Sequence, residues 1–160
     1  MKSPVTRNLK VTICGLLLFT SVNGLPAMAG YVPGLGEIMA QTASRHIKLW
    51  YAGLAQNWQL AAYEIDELKE GFDDAGKFHP THKHIKQKLP VLIKNYMHPP
   101  LEQLEQAIKD RNLDAFKKSY DSLTSACNAC HQATEFGFNQ VQQPNYNPFA
   151  NQVFETKDRN

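Results

Sequence analysis

The stretch Cys127-Asn128-Ala129-Cys130-His131 limits this chain more than any other. It sets two thiols three positions apart, with an imidazole directly after the second. Positions i, i+3 and i+4 share one face of an α-helix, so a helix through 127–131 turns all three side chains the same way. The sequence before it supports that helix. Leu113, Phe116, Tyr120, Leu123, Cys127 and Cys130 step by three and four, the period of one helical face. Asn112 suits the N-cap, Asp114 puts a negative charge in the first turn, and Gly137 is the expected stop.

Three chemistries use such a set of side chains. Structural zinc takes four ligands, commonly from two spaced Cys/His pairs, but a second CxxC is absent and His79, His82 and His84 follow no ligand spacing. A dithiol redox pair ordinarily sits in a βαβ context, which this chain does not offer. C-x-x-C-H is the attachment pattern of c-type haem. Each thiol adds across one haem vinyl group to give a thioether, and the adjacent imidazole reaches the iron from the same side. The expected cofactor is one covalent haem c on Cys127 and Cys130, with His131 on the iron. The zinc and dithiol readings stay open beside it.

The other end of the chain bears on the choice. Lys2, Arg7 and Lys10 form a basic front, Val11 to Thr20 an apolar stretch too short to span a bilayer, and Ala27-Met28-Ala29 a small-residue cleavage site. Residues 1–29 therefore read as a secretory signal cut after Ala29, with an uncleaved anchor as the alternative. The expected product is a soluble, periplasmic protein that spans no membrane. Of the 17 Lys and Arg, three leave with this segment, so 14 face 15 Asp and Glu. That balance gives no reason to expect a nucleic-acid partner. Cys14 leaves too, and Cys127 and Cys130 are the remaining thiols.

Earlier segments are helical as well. Gly36–Gly53 carries Ile38, Met39, Thr42, His46, Leu49 and Trp50 on one side, and the segment from Asn57 to about Lys77 carries Trp58, Ala61, Ile65, Leu68 and Phe72. The short turn at 53–55 favours antiparallel neighbours. Residues 82–110 keep a helical spacing, interrupted by Pro90, Pro99 and Pro100, so a third helix is expected in two pieces. The fold class is all-α: an antiparallel four-helix bundle over 30–137, with the haem motif on its last helix. Residues 138–160 form an extended C-terminal tail, with Phe149, Val153 and Phe154 as anchors that pack on the bundle.

A bundle of this layout, with CxxCH on its last helix, resembles the class II cytochromes c, the cytochrome c′ group. The stretch RHIKLWYAGLAQNWQLAAYEIDELKEGF also looks like uncharacterised bacterial cytochrome c family proteins. The resemblance implies haem thioethers at Cys127 and Cys130 and a proximal iron ligand at His131. It implies electron transfer with redox partner proteins when the iron is six-coordinate, and binding of diatomic gases such as NO or CO when it is five-coordinate. Proteins of the group are often dimers, so a homodimer is among the expected partners. The long tail after Gly137 departs from the simple bundle.

In six-coordinate relatives the sixth ligand comes from the first helix. Here His46 is the candidate, with Met39 two turns earlier on the same face as the weaker alternative and Met97 weaker still. Other features have plainer readings. The acidic run from Glu64 to Asp74 is expected as a solvated face, able to steer a basic partner. Trp50, Trp58 and Tyr63 are expected in the core or against the haem. No Ser-His-Asp set, phosphate loop or paired nucleophile and base is visible, so the expectation is a carrier, not an enzyme. A haem enzyme such as a peroxidase would need an open iron and a distal acid–base pair, which the sequence does not reveal.

Overall fold

A computed structural model of the protein describes residues 30–156, so the expected signal segment and the expected cleavage after Ala29 lie outside the described residues. The unit beginning at Tyr31 contains five helices. They are α1 (Leu35–Leu54), α2 (Trp58–Phe78), α3 (Leu89–Tyr96), α4 (His98–Lys109) and α5 (Leu113–Ala133). No strand occurs among the described residues, and no helix among them is long and apolar enough to cross a membrane.

The corners are built alike. Gln56, Arg111 and Glu135 take the left-handed conformation just past α1, α4 and α5, with φ of 54°, 52° and 65°. The next amide then reaches back five residues: Asn57 to the Ala52 carbonyl, Asn112 to Ala107 and Phe136 to His131. This is the Schellman closure, usually made with glycine; a larger residue there costs about 1 kcal/mol or more. At the first two corners the following asparagine caps the next helix. Asn57 Oδ1 accepts from the Leu60 amide at 3.1 Å, and Asn112 Oδ1 from Ala115 at 3.0 Å. Each helix therefore stops and the next starts within three residues.

Such tight corners make antiparallel pairs. Along α1 and α2, Thr42 faces Gly71, Arg45 meets Glu64, and His79 Nε2–H donates to the Pro33 carbonyl at 2.8 Å. Along α1 and α5, Gly53 and Trp50 meet Phe116, and His46 meets Tyr120 and Thr124. The C-terminal half of α1 thus lies on the N-terminal half of α5 through an aromatic layer of Trp50, Trp58, Phe116 and Tyr120. The opposite halves of these helices, with Met39 on one and Cys127–His131 on the other, frame the site described below.

The break expected in the third helical segment falls at Met97, and Pro99 and Pro100 sit in the first turn of α4, where a missing N–H costs nothing. Other expectations need correction. Residues 82–88 are not helical, although Ile85 keeps the spacing; Leu89 closes the loop after α2 by donating its amide to the Pro80 carbonyl. Helix α5 ends at Ala133, before Gly137, because Thr134 turns its hydroxyl onto the Cys130 and His131 carbonyls and Glu135 reverses the chain. Tyr63 is surface-exposed beneath the Arg45 guanidinium. Glu64 leaves the solvated acidic face: it is 1% exposed and paired with Arg45 at 3.2 Å. Burial holds its carboxyl above the usual range despite that partner.

The tail packs back on the helices. Phe154 is buried against Tyr51, its carbonyl accepts from Asn57 Nδ2 at 3.0 Å, and Phe149 lies under the Lys48 ammonium. Val153, expected as an anchor, is instead 71% exposed.

Candidate functional site

A cavity of about 540 Å³ opens between α1, α2, α3, α5, the loop before α3 and the start of the tail. That volume lies in the range of small-molecule and cofactor sites. Its walls are mainly apolar, with Leu68, Phe72, Leu92 and Leu123 among them. Cys127, Cys130 and His131 line one side; Met39 and His46 line the α1 side. All five candidate residues therefore border one space. Met97 borders it too, as do His82 and Lys83.

The thiols are half-buried and unpaired. Burial pushes the Cys127 thiol up to about 12 and raises Cys130 as well. A dithiol exchange site works through a lowered thiol pKa, so this environment runs against that reading. The zinc reading fares no better. Among the described residues no three His, Cys, Asp or Glu side chains group as a metal site would require. His79 is spent on the Pro33 carbonyl, and His84 stacks on Phe136 beside Glu135.

His131 carries a defined hydrogen bond. Its Nδ1 lies 2.6 Å from the Asn139 carbonyl oxygen. A carbonyl can only accept, so Nδ1 holds the proton. Of the two neutral tautomers, this bond selects the one with its lone pair on Nε2, a form in which imidazole binds a metal.

His46 is nearly inaccessible, at 3% exposure, and burial lowers its pKa to about 4, so it is neutral at physiological pH. Its ring stacks on Tyr120 at 4.4 Å. Four polar contacts run in a line through it. The His46 carbonyl meets the Tyr120 hydroxyl at 2.8 Å, and that hydroxyl meets Nδ1 at 2.9 Å. Nε2 meets Thr124 Oγ1 at 2.9 Å, and Oγ1 meets the Tyr120 carbonyl at 3.0 Å. Both ends of this line are carbonyls and need a donor. A tyrosine, a threonine and a neutral histidine bring one hydrogen each, so three hydrogens serve four contacts. One contact is always left without a proton.

What the sequence did not reveal was the role of the tail. Asn139 supplies the His131 acceptor, and Val141 reaches the cavity wall. A backbone carbonyl carries no residue signature; the apolar residues in a polar tail signalled only that the tail packs back. Comparison with known proteins gave no match to a family model, to a curated protein or to a solved structure.

Proposed function

We propose that this chain is an exported monohaem c-type cytochrome that carries electrons in the periplasm, exchanging them with redox partner proteins. In this reading α3 and α4 count as one broken helix, and the fold is a four-helix bundle of the class II type. The observation that carries it is one cavity wall. Two unpaired thiols and an imidazole with its lone pair on Nε2 border the same apolar space, at the spacing of CxxCH. The residues fit the group: Cys127 and Cys130 would hold haem c covalently, and His131 would bind its iron. When bound, the haem supplies a one-electron ferric/ferrous couple.

The line of contacts through His46 supports a six-coordinate iron. If Nε2 turns its lone pair to a metal, the contact to Thr124 is the one given up. Three contacts then remain for three hydrogens. Nδ1–H donates to the Tyr120 oxygen, the Tyr120 hydroxyl to the His46 carbonyl, and the Thr124 hydroxyl to the Tyr120 carbonyl. Ligation removes the shortfall and leaves no buried polar group stranded. Met39 offers a thioether from the same wall and stands as the alternative ligand.

A second reading, reversible binding of a diatomic gas by a five-coordinate haem, draws on the bond from Nε2 to Thr124. If that bond persists, His46 is spent and the distal face stays open. The optical spectrum of the ferrous protein with and without CO separates the two. A low-spin spectrum indifferent to CO is expected; prompt CO binding by the unmutated protein would move the assignment to gas binding. His46→Ala is expected to convert the iron to high spin, whereas a conversion in Met39→Leu alone would transfer the ligand role to Met39. The cofactor itself is tested by acid–acetone extraction: pigment should stay on the polypeptide, and free extraction would sink the whole reading.

A further inference from the structure

We propose that the tail from residue 138 is a strap that fixes the proton of His131 on Nδ1, and that Asn128 is the positioning residue that locks it. The proposal rests on the haem reading for its consequence at the iron, but not for its geometry. The acceptor for Nδ1 is the carbonyl of Asn139, eight residues on and beyond the end of α5. Something must bring it back and hold it.

The chain reverses at Glu135, where the Phe136 amide closes on the His131 carbonyl at 2.8 Å. The Asn139 amide then closes on the Phe136 carbonyl at 2.8 Å. Two residues further, the strap meets α5 again. Asn128 Oδ1 accepts from the Val141 amide at 2.8 Å, and Asn128 Nδ2 donates to the Val141 carbonyl at 2.8 Å. A carboxamide both gives and takes, as a peptide group does, so Asn128 binds the strap as a neighbouring strand would. Asn128 and His131 lie three apart on α5, and their acceptors lie two apart on the strap. The two contacts form one short ladder with the imidazole at one rung. The far end is held independently by buried Phe154 and its tie to Asn57.

An Nδ1–H bond to a carbonyl makes Nε2 more basic and sets the ring's orientation. A more basic imidazole nitrogen would favour ferric over ferrous iron. With haem held by this chain, the strap would therefore lower the reduction potential, and Asn128, bonded to Val141, would act through the Asn139 carbonyl.

The experiment has two arms. In the full chain expressed without a haem-attachment system, nitrogen-15 spectra of His131 should show the proton on Nδ1. Asn128→Ala should move it toward Nε2. In the haem-loaded protein the same change should raise the reduction potential. A tenfold loss of ferric preference, the lower end of the usual cost of an outer-shell partner, is a rise of about 59 mV. If Asn128→Ala loses its helical circular dichroism, Asn128→Asp carries the test. It keeps the acceptor for the Val141 amide, loses the donor, and should move both readouts the same way by less. A His131 proton that stays on Nδ1 in a folded Asn128 variant overturns the proposal, whatever the potential does. If no haem is taken up by the unmutated chain, the cytochrome reading fails, and the haem-free arm still decides the strap.

Discussion

At Gly53 the Phe116 ring of α5 lies directly against the backbone of α1, and replacing the glycine tests that close approach. A Cβ built there would lie within 2.6 Å of three carbons at the tip of the Phe116 ring. Carbon atoms pack best at about 3.5–4.0 Å, and the nearest ring carbon would be 2.0 Å away, so the ring must retreat by about 1.5 Å or more. It has no room: Phe116 is 0% exposed, with Trp50, Trp58 and Tyr120 around it. Overpacking of this kind costs about 3 kcal/mol at the upper end of its range. Alanine returns up to about 1 kcal/mol of helix propensity. Gly53→Ala should therefore destabilise by about 2 kcal/mol, lowering Tm by about 6–10 °C for a chain of this size. Phe116→Leu alone should cost about 2 kcal/mol from three lost carbons. In the double variant the alanine methyl enters the space that the ring vacates, so the two costs should fall short of additive by about 1 kcal/mol or more. Urea unfolding followed by far-ultraviolet circular dichroism gives all four stabilities, with an unchanged m-value as the control. A neutral Gly53→Ala, or strictly additive costs, would refute the close approach.

Three other outcomes follow from single contacts. Asn57→Ala should cost about 2 kcal/mol, because it loses both a helix cap and the tie to Phe154, whereas Asn112→Ala, which loses a cap alone, should cost about 1 kcal/mol; equal losses in chemical denaturation would mean that the tie contributes nothing. Tyr120→Phe should cost about 2 kcal/mol by removing the hydroxyl shared between the His46 carbonyl and Nδ1, and an unchanged midpoint in urea would contradict the line of contacts drawn through His46. Glu64, held above the usual carboxylate range by burial, keeps its proton in the folded state when the unfolded chain has lost it, so its contribution to stability falls as pH rises from about 4.5 through its folded value; Glu64→Gln should flatten that part of the stability curve, and identical curves would exclude the effect.

Much of the helical framework was legible because apolar residues recur at helical spacing. α1 and α2 begin within one residue of the expected starts at Gly36 and Asn57, and α5 begins directly after its expected cap, Asn112. The paired prolines gave the break between α3 and α4, and Asn112 gave a cap. The stops were harder to read. Glycine is the usual sign of a left-handed helix end, yet Gln56, Arg111 and Glu135 hold that position here, and Gly137 drew attention away from Glu135. Periodicity also cannot tell a loop with spaced apolar residues from a helix, which is why residues 82–88 read as helical. Glu64 was hidden for a similar reason: its partner Arg45 is on another helix, and no local pattern announces a pairing across 19 positions.

The site was legible in proportion to how far its chemistry resides in side chains. Cys127, Cys130 and His131 declare themselves by spacing within one helix. His46 and Met39 could be placed on one face by counting turns along α1, and both border the cavity. What surrounds His46 is another matter. Its neighbours Tyr120 and Thr124 are unremarkable on α5, and their meaning comes from counting hydrogens across two helices. The acceptor for His131 is further from view, since any residue at 139 presents a carbonyl. Only Asn128 could have pointed to it, as the amide inside the motif. Each X of a C-x-x-C-H faces a different neighbour on the helix, and here the first X ties the strap while the second, Ala129, is exposed. If the chain holds a haem as proposed, the motif would fix which atoms meet it, and the residues that the motif leaves unspecified would determine how the imidazole is held.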